Sequence, residues 1–170
     1  MAQGECAMFF TRAKGEQYKL QGHLRRICDL TSPNLPRQEE FRGLNRQNRT
    51  IPILLTPWED GMPVVSDTAT ALTKDISDHG LCVTLSQPFR CEEAVVGFWL
   101  PQVQDYNPWF FLSLVRQHVS IGGGFWAMGL EAVELLTVSS GSELARLLPL
   151  VKQLLPPKVV ETTPPSAMIL

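Results

Sequence analysis

A short polar segment in the middle of the chain carries the residues with the most suggestive chemistry. Asp75, Ser77 and Gly80 follow the spacing D-x-S-x-x-G between two apolar runs. Asp and Ser side chains bond to nearby backbone N–H groups, and Gly accepts a positive φ, so this spacing favours a well-formed turn. The same carboxylate and hydroxyl can also offer hydrogen bonds to a ligand.

Three arginines form a local cationic cluster before the first long apolar run. Arg42, Arg46 and Arg49 lie in the segment FRGLNRQNR, directly ahead of residues 50–58. A guanidinium fork matches phosphate or carboxylate oxygens bidentately and stacks on flat rings. The whole chain has a net charge of −2 and a pI of about 5.9, which argues against a general nucleic-acid binder. Taken alone, an arginine cluster before a strand usually forms a solvated basic loop, so a binding role depends on its combination with other features.

Other chemical motifs are missing from the sequence. The run Gly122-Gly123-Gly124 lacks the Lys-Ser/Thr pair of a phosphate loop, so it predicts a tight turn. The three histidines and four cysteines show neither metal-ligand spacing nor a C-x-x-C pair. There is no nucleophile elbow, H-E-x-x-H motif or catalytic carboxylate pair. We therefore expect a protein that is not an enzyme, without a metal or a cofactor.

The segments that flank these residues are predicted to be strands. Asp60-Gly61 lies between two apolar runs, which is a strong hairpin signal. Strands separated by turn signals, without alternating helices, predict an all-β antiparallel sandwich or barrel. The predicted strands are 50–58, 62–73, 81–85, 94–100, 109–119 and 125–136.

The hydrophobic period changes near the end of the chain. Ser140 and Glu143 fit a capping box, and leucines and a valine then recur at helical spacing until Pro156-Pro157. This predicts a C-terminal α-helix over residues 139–157, followed by a disordered tail at 158–170. Residues 1–40 are predicted to form an N-terminal arm with a short helix near 21–30.

Targeting signals are also missing. The first ten residues lack a basic stretch followed by a long apolar run, and no stretch reaches the ~18 apolar residues of a membrane helix. These features predict a cytoplasmic protein without membrane insertion.

Taken together, the arginine cluster, the hairpin and the D-x-S-x-x-G motif resemble the PilZ family. That family carries R-x-x-x-R, followed a few tens of residues later by (D/N)-x-S-x-x-G, and the resemblance covers about residues 42–136. It implies a six-stranded antiparallel β-barrel over residues 41–138 with a C-terminal helix. It also implies cyclic di-GMP, a bacterial second messenger, as the ligand of a non-enzymatic signal receiver with an unnamed downstream protein partner.

The arginine half of the motif fits in two registers. Arg42 and Arg46 match R-x-x-x-R literally, but the family's last arginine usually stands immediately before the first strand, where this chain has Arg49. In that second register Asn45 occupies the position of the first arginine, and Arg46 lies inside the motif. The resemblance therefore implies a ligand site made of Arg42, Arg46, Arg49, Asp75, Ser77 and Gly80.

Two functional hypotheses follow from this resemblance. The first is a cyclic di-GMP receiver, in which the nucleotide orders the arginine loop. The alternative is a degenerate PilZ module that acts as a protein-interaction adaptor without nucleotide binding, and Asn45 is the feature that favours it.

Overall fold

Strands dominate the part of the chain that the computed structural model describes, namely residues 15–16, 18–24, 27, 47–100 and 107–154. A 3-10 helix lies at Val65–Asp67, and a second one at Glu143–Leu147 leads into an α-helix at Leu148–Val151. The strands in these ranges are β1 (Gln47–Asn48), β2 (Pro52–Glu59), β3 (Met62–Pro63), β4 (Ala69–Ile76), β5 (Gly80–Leu85), β6 (Glu93–Phe98), β7 (Trp109–Gly122) and β8 (Phe125–Leu136).

Six of these strands close into a barrel. The order β4-β5-β8-β7-β6-β2 is antiparallel throughout, and pairing of β2 with β4 completes the circle. Closure leaves no open sheet edge among these six strands, which is how small all-β proteins protect their edges. The predicted six-stranded antiparallel barrel with a short C-terminal helix is confirmed. β1 pairs with the C-terminal end of β4, and β3 pairs with the C-terminal end of β2.

The barrel interior is filled by alternate residues of the strands. Side chains such as Ile53, Val83, Phe98 and Phe111 are fully buried in one cluster, as expected when successive residues point to opposite faces. The N-terminal helix, whose described residues are 15–16, 18–24 and 27, contributes to the same cluster. Its residues Leu20, Leu24 and Ile27 recur at helical spacing and are buried there, so this helix covers part of the barrel core.

The first hairpin forms where Asp60-Gly61 predicts it. Both residues have positive φ, 49° and 79°, as a two-residue hairpin turn requires. The predicted partner strand over 62–73 is wrong in one respect, because it is interrupted. β3 ends at Pro63, which has no N–H to continue the ladder, and a 3-10 helix intervenes before β4 begins at Ala69. The predicted turn at Gly122 to Gly124 is confirmed, and all three glycines there have positive φ.

A second apolar cluster lies on the outside of the barrel. Leu54, Val95 and Phe110 of adjacent strands are covered by the C-terminal helical segment through Leu147 and Val151. Burial of these outward-facing apolar side chains stabilises the packing of the helical segment against the barrel. Within the described residues, no helix is long and apolar enough to cross a membrane.

The predicted α-helix over residues 139–157 is wrong in most of its described span, because a 3-10 helix occupies Glu143–Leu147 and the α-helix covers only Leu148–Val151. The N-cap is Ser142 rather than Ser140, and its hydroxyl accepts a hydrogen bond from the N–H of Ala145 at 3.3 Å. Glu143 pairs with Arg146 at 2.6 Å instead of reaching back to the backbone. The first turn is 3-10, and a four-residue α-helix follows with a proline in its own first turn, where the missing N–H costs no hydrogen bond.

Candidate ligand-binding site

A β-bulge in β4 decides where Asp75 points. Pairing with β5 runs from Thr73 opposite Val83 to Asp75 opposite Cys82, so Lys74 is the extra residue. In a regular strand Asp75 would face the interior together with Thr73, because alternate residues share a face. The bulge shifts the phase by one residue. Ile76 is therefore the buried residue, and Asp75 lies half-buried at the barrel wall.

Ser77 closes the turn between β4 and β5. Its backbone N–H donates to the carbonyl oxygen of Gly80 at 2.8 Å, and its hydroxyl donates to the same oxygen at 3.3 Å. The hydroxyl also accepts from the N–H of His79 at 3.4 Å. This serine therefore holds the hairpin turn that places Asp75 beside the start of β5.

Gly80 is required for a different reason from the one that the sequence predicts. Its φ is not positive, unlike that of the turn glycines, so the expectation of a left-handed turn position is wrong. A Cβ at this position would overlap the backbone carbonyl oxygen of Leu130 and lie 3.0 Å from the Cα of Glu131. The glycine allows β5 and β8 to approach closely at the end of their ladder.

The motif borders a concavity on the barrel surface. Its volume is about 400 Å³, within the range of roughly 300–1,000 Å³ that small-molecule sites occupy. We call it the Asp75 concavity. It is lined by Asp75, Ser77, His79, Gly80, Leu81, Cys82, Arg116, Gln117, Gly129, Leu130 and Glu131. Three of the six predicted site residues, all from the D-x-S-x-x-G motif, therefore lie around one surface.

Arg116 belongs to this lining but not to the sequence prediction. It is the extra residue of a second bulge, because β7 pairs with β8 through Val115 opposite Leu130 and then Gln117 opposite Gly129. Consequently Arg116 and Gln117 are both exposed and both line the concavity, although neighbours in a regular strand face opposite sides. The sequence offers one indication that Arg116 is unusual, because no other lysine or arginine occurs between Arg90 and Arg146.

Arg116 forms an ion pair with Glu131 across the two strands. The distance between Nε and Oε2 is 2.5 Å, and the side chains are 60% and 46% exposed. Ion pairs this exposed to solvent contribute at most about 1 kcal/mol to stability. The pair can therefore be exchanged for another partner at small cost.

The end of the arginine cluster is fixed alongside β4. Asn48 pairs with Asp75, and the N–H of Arg49 donates to the carbonyl oxygen of Lys74 at 3.2 Å. The buried hydroxyl of Thr73 donates to the carbonyl oxygen of Arg49 and accepts from the N–H of Ile51 at 2.8 Å. Sequence reasoning missed this threonine, because its partners lie more than twenty residues away.

The arginines themselves are placed only in part. Arg49 is half-buried beside β4, and it is not among the described residues that line the Asp75 concavity. Arg42 and Arg46 lie outside the described residues, as does Asn45. The choice between the two arginine registers therefore stays a prediction.

A second concavity lies at the other side of Arg116. Its volume is about 800 Å³, and four carboxylates border it, those of Glu59, Asp60, Glu92 and Glu93. Cys91 is half-buried there, and burial, followed by the charge of Glu59, raises the pKa of its thiol to about 11. Four carboxylates against the single cation of Arg116 repel an anion more strongly than the two carboxylates of the Asp75 concavity do, so of these two concavities the Asp75 concavity suits an anionic ligand better.

Metal binding has no support in the described residues, where no group of three or more His, Cys, Asp or Glu side chains could hold an ion. His79 is an exposed turn residue at the Asp75 concavity. His118 instead stacks on Trp126, with ring centroids 4.8 Å apart.

Comparisons with known proteins give structural likeness only. No family model and no curated protein matches this chain. The Bacillus subtilis inhibitor of motility (MotI/DgrA) is similar at 20% identity and a TM-score of 0.42, over 69% of this chain and 55% of that one. K. pneumonia MrkH in its apo state is similar at 14% identity and a TM-score of 0.38, over 71% and 53%. The chain thus spans about half the length of each of these structures.

Proposed function

We propose that this chain is a non-enzymatic signal receiver of the PilZ type that binds cyclic di-GMP at the Asp75 concavity. The observation that carries the proposal is the pairing of Asn48 with Asp75. Asn48 lies between Arg46 and Arg49, so the end of the arginine cluster runs beside the strand that carries the D-x-S-x-x-G motif. Arg49 and Asp75 are 26 residues apart in sequence, and the N–H of Arg49 donates to the carbonyl oxygen of Lys74, next to Asp75.

The chemistry of the groups suits the two guanines and two phosphates of this ligand. A carboxylate such as that of Asp75 accepts hydrogen bonds from guanine N–H groups, and the hydroxyl of Ser77 both donates and accepts. Arginine bonds O6 and N7 of guanine, matches phosphate oxygens bidentately and stacks on bases. Arginines of the segment 42–49 would supply these contacts from the loop side.

The proposed signal is a change in the arginine loop. A ligand shifts a protein toward whichever state it binds better, and ordering of a charged segment is a common form of this shift. Nucleotide binding would order the loop over the concavity and present a new surface to a downstream protein. Cleavage by trypsin after Arg42 or Arg46 should then be slower with cyclic di-GMP than without it.

Calorimetry and thermal shift with cyclic di-GMP test the proposal. The ligand should raise the melting temperature, because it binds only the folded chain. The Asp75→Asn variant should bind about 5- to 150-fold more weakly, equivalent to about 1–3 kcal/mol for a lost base contact. Asp67→Asn, an exposed carboxylate outside the concavity, is the matched control and should bind like the wild type.

Cyclic di-GMP binding by arginine variants, measured in the same way, distinguishes the two registers of the R-x-x-x-R motif. If Arg42 and Arg46 bind the ligand, Arg49→Ala should have little effect, and if Arg46 and Arg49 bind it, Arg42→Ala should be nearly silent. Equal small losses at all three positions would indicate diffuse charge attraction. Absence of heat and of thermal shift at high micromolar cyclic di-GMP would reject the receiver and favour the adaptor. GTP binding as tightly as cyclic di-GMP would also reject it, because charge alone would then explain the affinity.

A further inference from the structure

Arg116 stands out because it lies on the border between the Asp75 concavity and the acidic concavity next to it, and lines both. It is the bulged residue of β7, and the Asp75 concavity has a second bulge on its other flank, at Lys74 in β4. Bulges are enriched next to binding sites, where they re-aim a side chain. β4 and β7 thus each contain a bulge beside the same concavity. The bulge in β4 brings Asp75 into its lining, and the bulge in β7 brings Arg116 into it.

The charge balance of this surface makes that orientation significant. Among the described residues that line the concavity, the carboxylates are Asp75 and Glu131, and Arg116 is the only lysine or arginine. An anionic ligand would meet two negative groups there and one fixed positive group. Arg116 is therefore the cation that the barrel itself provides, separate from the loop arginines.

Arg116 pairs with the carboxylate of Glu131 at the edge of the concavity. The carboxylate oxygen lies 2.5 Å from Nε of Arg116, so the guanidinium already holds an oxyanion there. Each phosphodiester of the ligand offers the same kind of acceptor, with one negative charge shared by two oxygens, and an arginine fork matches it bidentately. A phosphate at this edge of the concavity would therefore compete with the carboxylate of Glu131 for the same guanidinium.

We infer that Arg116 is a phosphate-binding residue of the site, outside the family motif, and that Glu131 is an internal competitor which the phosphate of the ligand displaces. This inference rests on the proposed function and extends it. Glu131 lowers the affinity by occupying Arg116, so ligand concentration must overcome the ion pair before the site fills. The pair thereby raises the ligand concentration at which the receiver responds.

Two single variants with matched controls test the two roles. Arg116→Gln should weaken cyclic di-GMP binding about 12- to 150-fold, the value of a hydrogen bond to a charged group, whereas Arg90→Gln, which removes an exposed arginine outside the concavity, should change it little. Glu131→Gln should tighten binding about 1.5- to 5-fold, because an exposed ion pair no longer competes. Glu134→Gln, an exposed carboxylate on the same strand, is its control.

The double variant separates competition from simple repulsion. If Glu131 acts by holding Arg116, the gain from Glu131→Gln should disappear in the Arg116→Gln background, which is a non-additive cycle. If Glu131 only repels the ligand, the gain should persist or grow, and the competitor role is overturned. Circular dichroism melts of all variants confirm that each is folded at the temperature of the binding measurement.

Failure of this inference is distinguishable from failure of the proposed function. A wild-type chain that binds no cyclic di-GMP overturns both. A wild-type chain that binds it while Arg116→Gln binds no more weakly than Arg90→Gln overturns the role of Arg116 alone and leaves the receiver in place.

Discussion

Replacing Gly80 with alanine should destabilise the barrel, although alanine is normally the better residue within a strand. Gly80 pairs with Glu131 at the end of the six-pair ladder between β5 and β8. A Cβ there would overlap the backbone oxygen of Leu130 and lie 3.0 Å from the Cα of Glu131, closer than the 3.4 Å of an ordinary contact. Both obstacles are backbone atoms, so no rotamer change relieves the clash, and the two strands must separate at this end.

The size of the loss follows from what separation disrupts. Overpacking of a tight site costs about 1–3 kcal/mol. The hydrogen bond from the N–H of Ala132 to the carbonyl oxygen of His79, 2.9 Å long, lies just beyond Gly80, and losing it adds about 1 kcal/mol. Alanine returns about 0.5–1 kcal/mol of backbone entropy. We expect a net loss of about 2 kcal/mol in the free energy of unfolding, or roughly 4–8 °C in Tm.

Urea unfolding followed by circular dichroism measures this loss, and Gly129→Ala is the matched control. Gly129 lies on β8 opposite Cys82, but a Cβ there would meet only Gln117, at 3.5 Å from its Cβ. We expect Gly129→Ala to stay within about 0.5 kcal/mol of the wild type. Equal stability of the Gly80→Ala variant and the wild type would refute the close approach of β5 and β8. An equal loss in both variants would show that any glycine of these strands is sensitive, whatever its distance from the neighbouring backbone.

Two further predictions concern buried polar groups. Thr73→Val should lower the free energy of unfolding by about 1–3 kcal/mol, because the N–H of Ile51 and the carbonyl oxygen of Arg49 lose their partner, and Thr73→Ser should cost less. Urea unfolding of both variants checks this, and a larger loss for serine would show that the methyl group matters more than the hydroxyl. The thiol of Cys91 should stay protonated in the folded chain up to a pH near its raised pKa of about 11. The contribution of this thiol to the free energy of unfolding is complete at neutral pH. It is lost as the pH rises toward 11, because the thiol of the unfolded chain ionises at a lower pH than that of the folded chain. Mass-resolved alkylation across pH 7–11 measures the titration, and rapid modification of Cys91 at pH 8 would contradict it.

The sequence predicts the features of this fold that depend on local residues. The Asp60-Gly61 hairpin, the glycine turn after β7 and the strands all rest on residue preference and alternation within a few positions. The closed barrel was predicted from the resemblance to a family. The sequence does not predict the interruption after Pro63 or the cap at Ser142. Several residues near each position could end the strand or cap the helix, and tertiary packing selects among them.

The features of the candidate site that sequence reasoning missed are non-local. A bulge is a mismatch in residue count between two paired strands, so nothing in the sequence around Lys74 or Arg116 reveals it without the partner register. The role of Gly80 depends on the backbone at Leu130, fifty residues later in the chain. Asp75, Ser77 and Gly80 were found from a motif, whereas the ion pair of Arg116 with Glu131 required the fold.

The anchoring of the arginine segment bears on how a ligand could order it. The segment 28–46 starts after Ile27, which is buried in the barrel core, and ends at Gln47, which pairs with Ile76 of β4. The hydroxyl of Thr73 reinforces this end through Arg49 and Ile51. Because the backbone of Arg49 is already held beside β4, its contacts with a ligand would cost less ordering, and more of their energy would remain as affinity. Thr73→Val, which releases one end, should therefore weaken binding even at temperatures where the barrel stays folded, whereas Thr73→Ser should retain it.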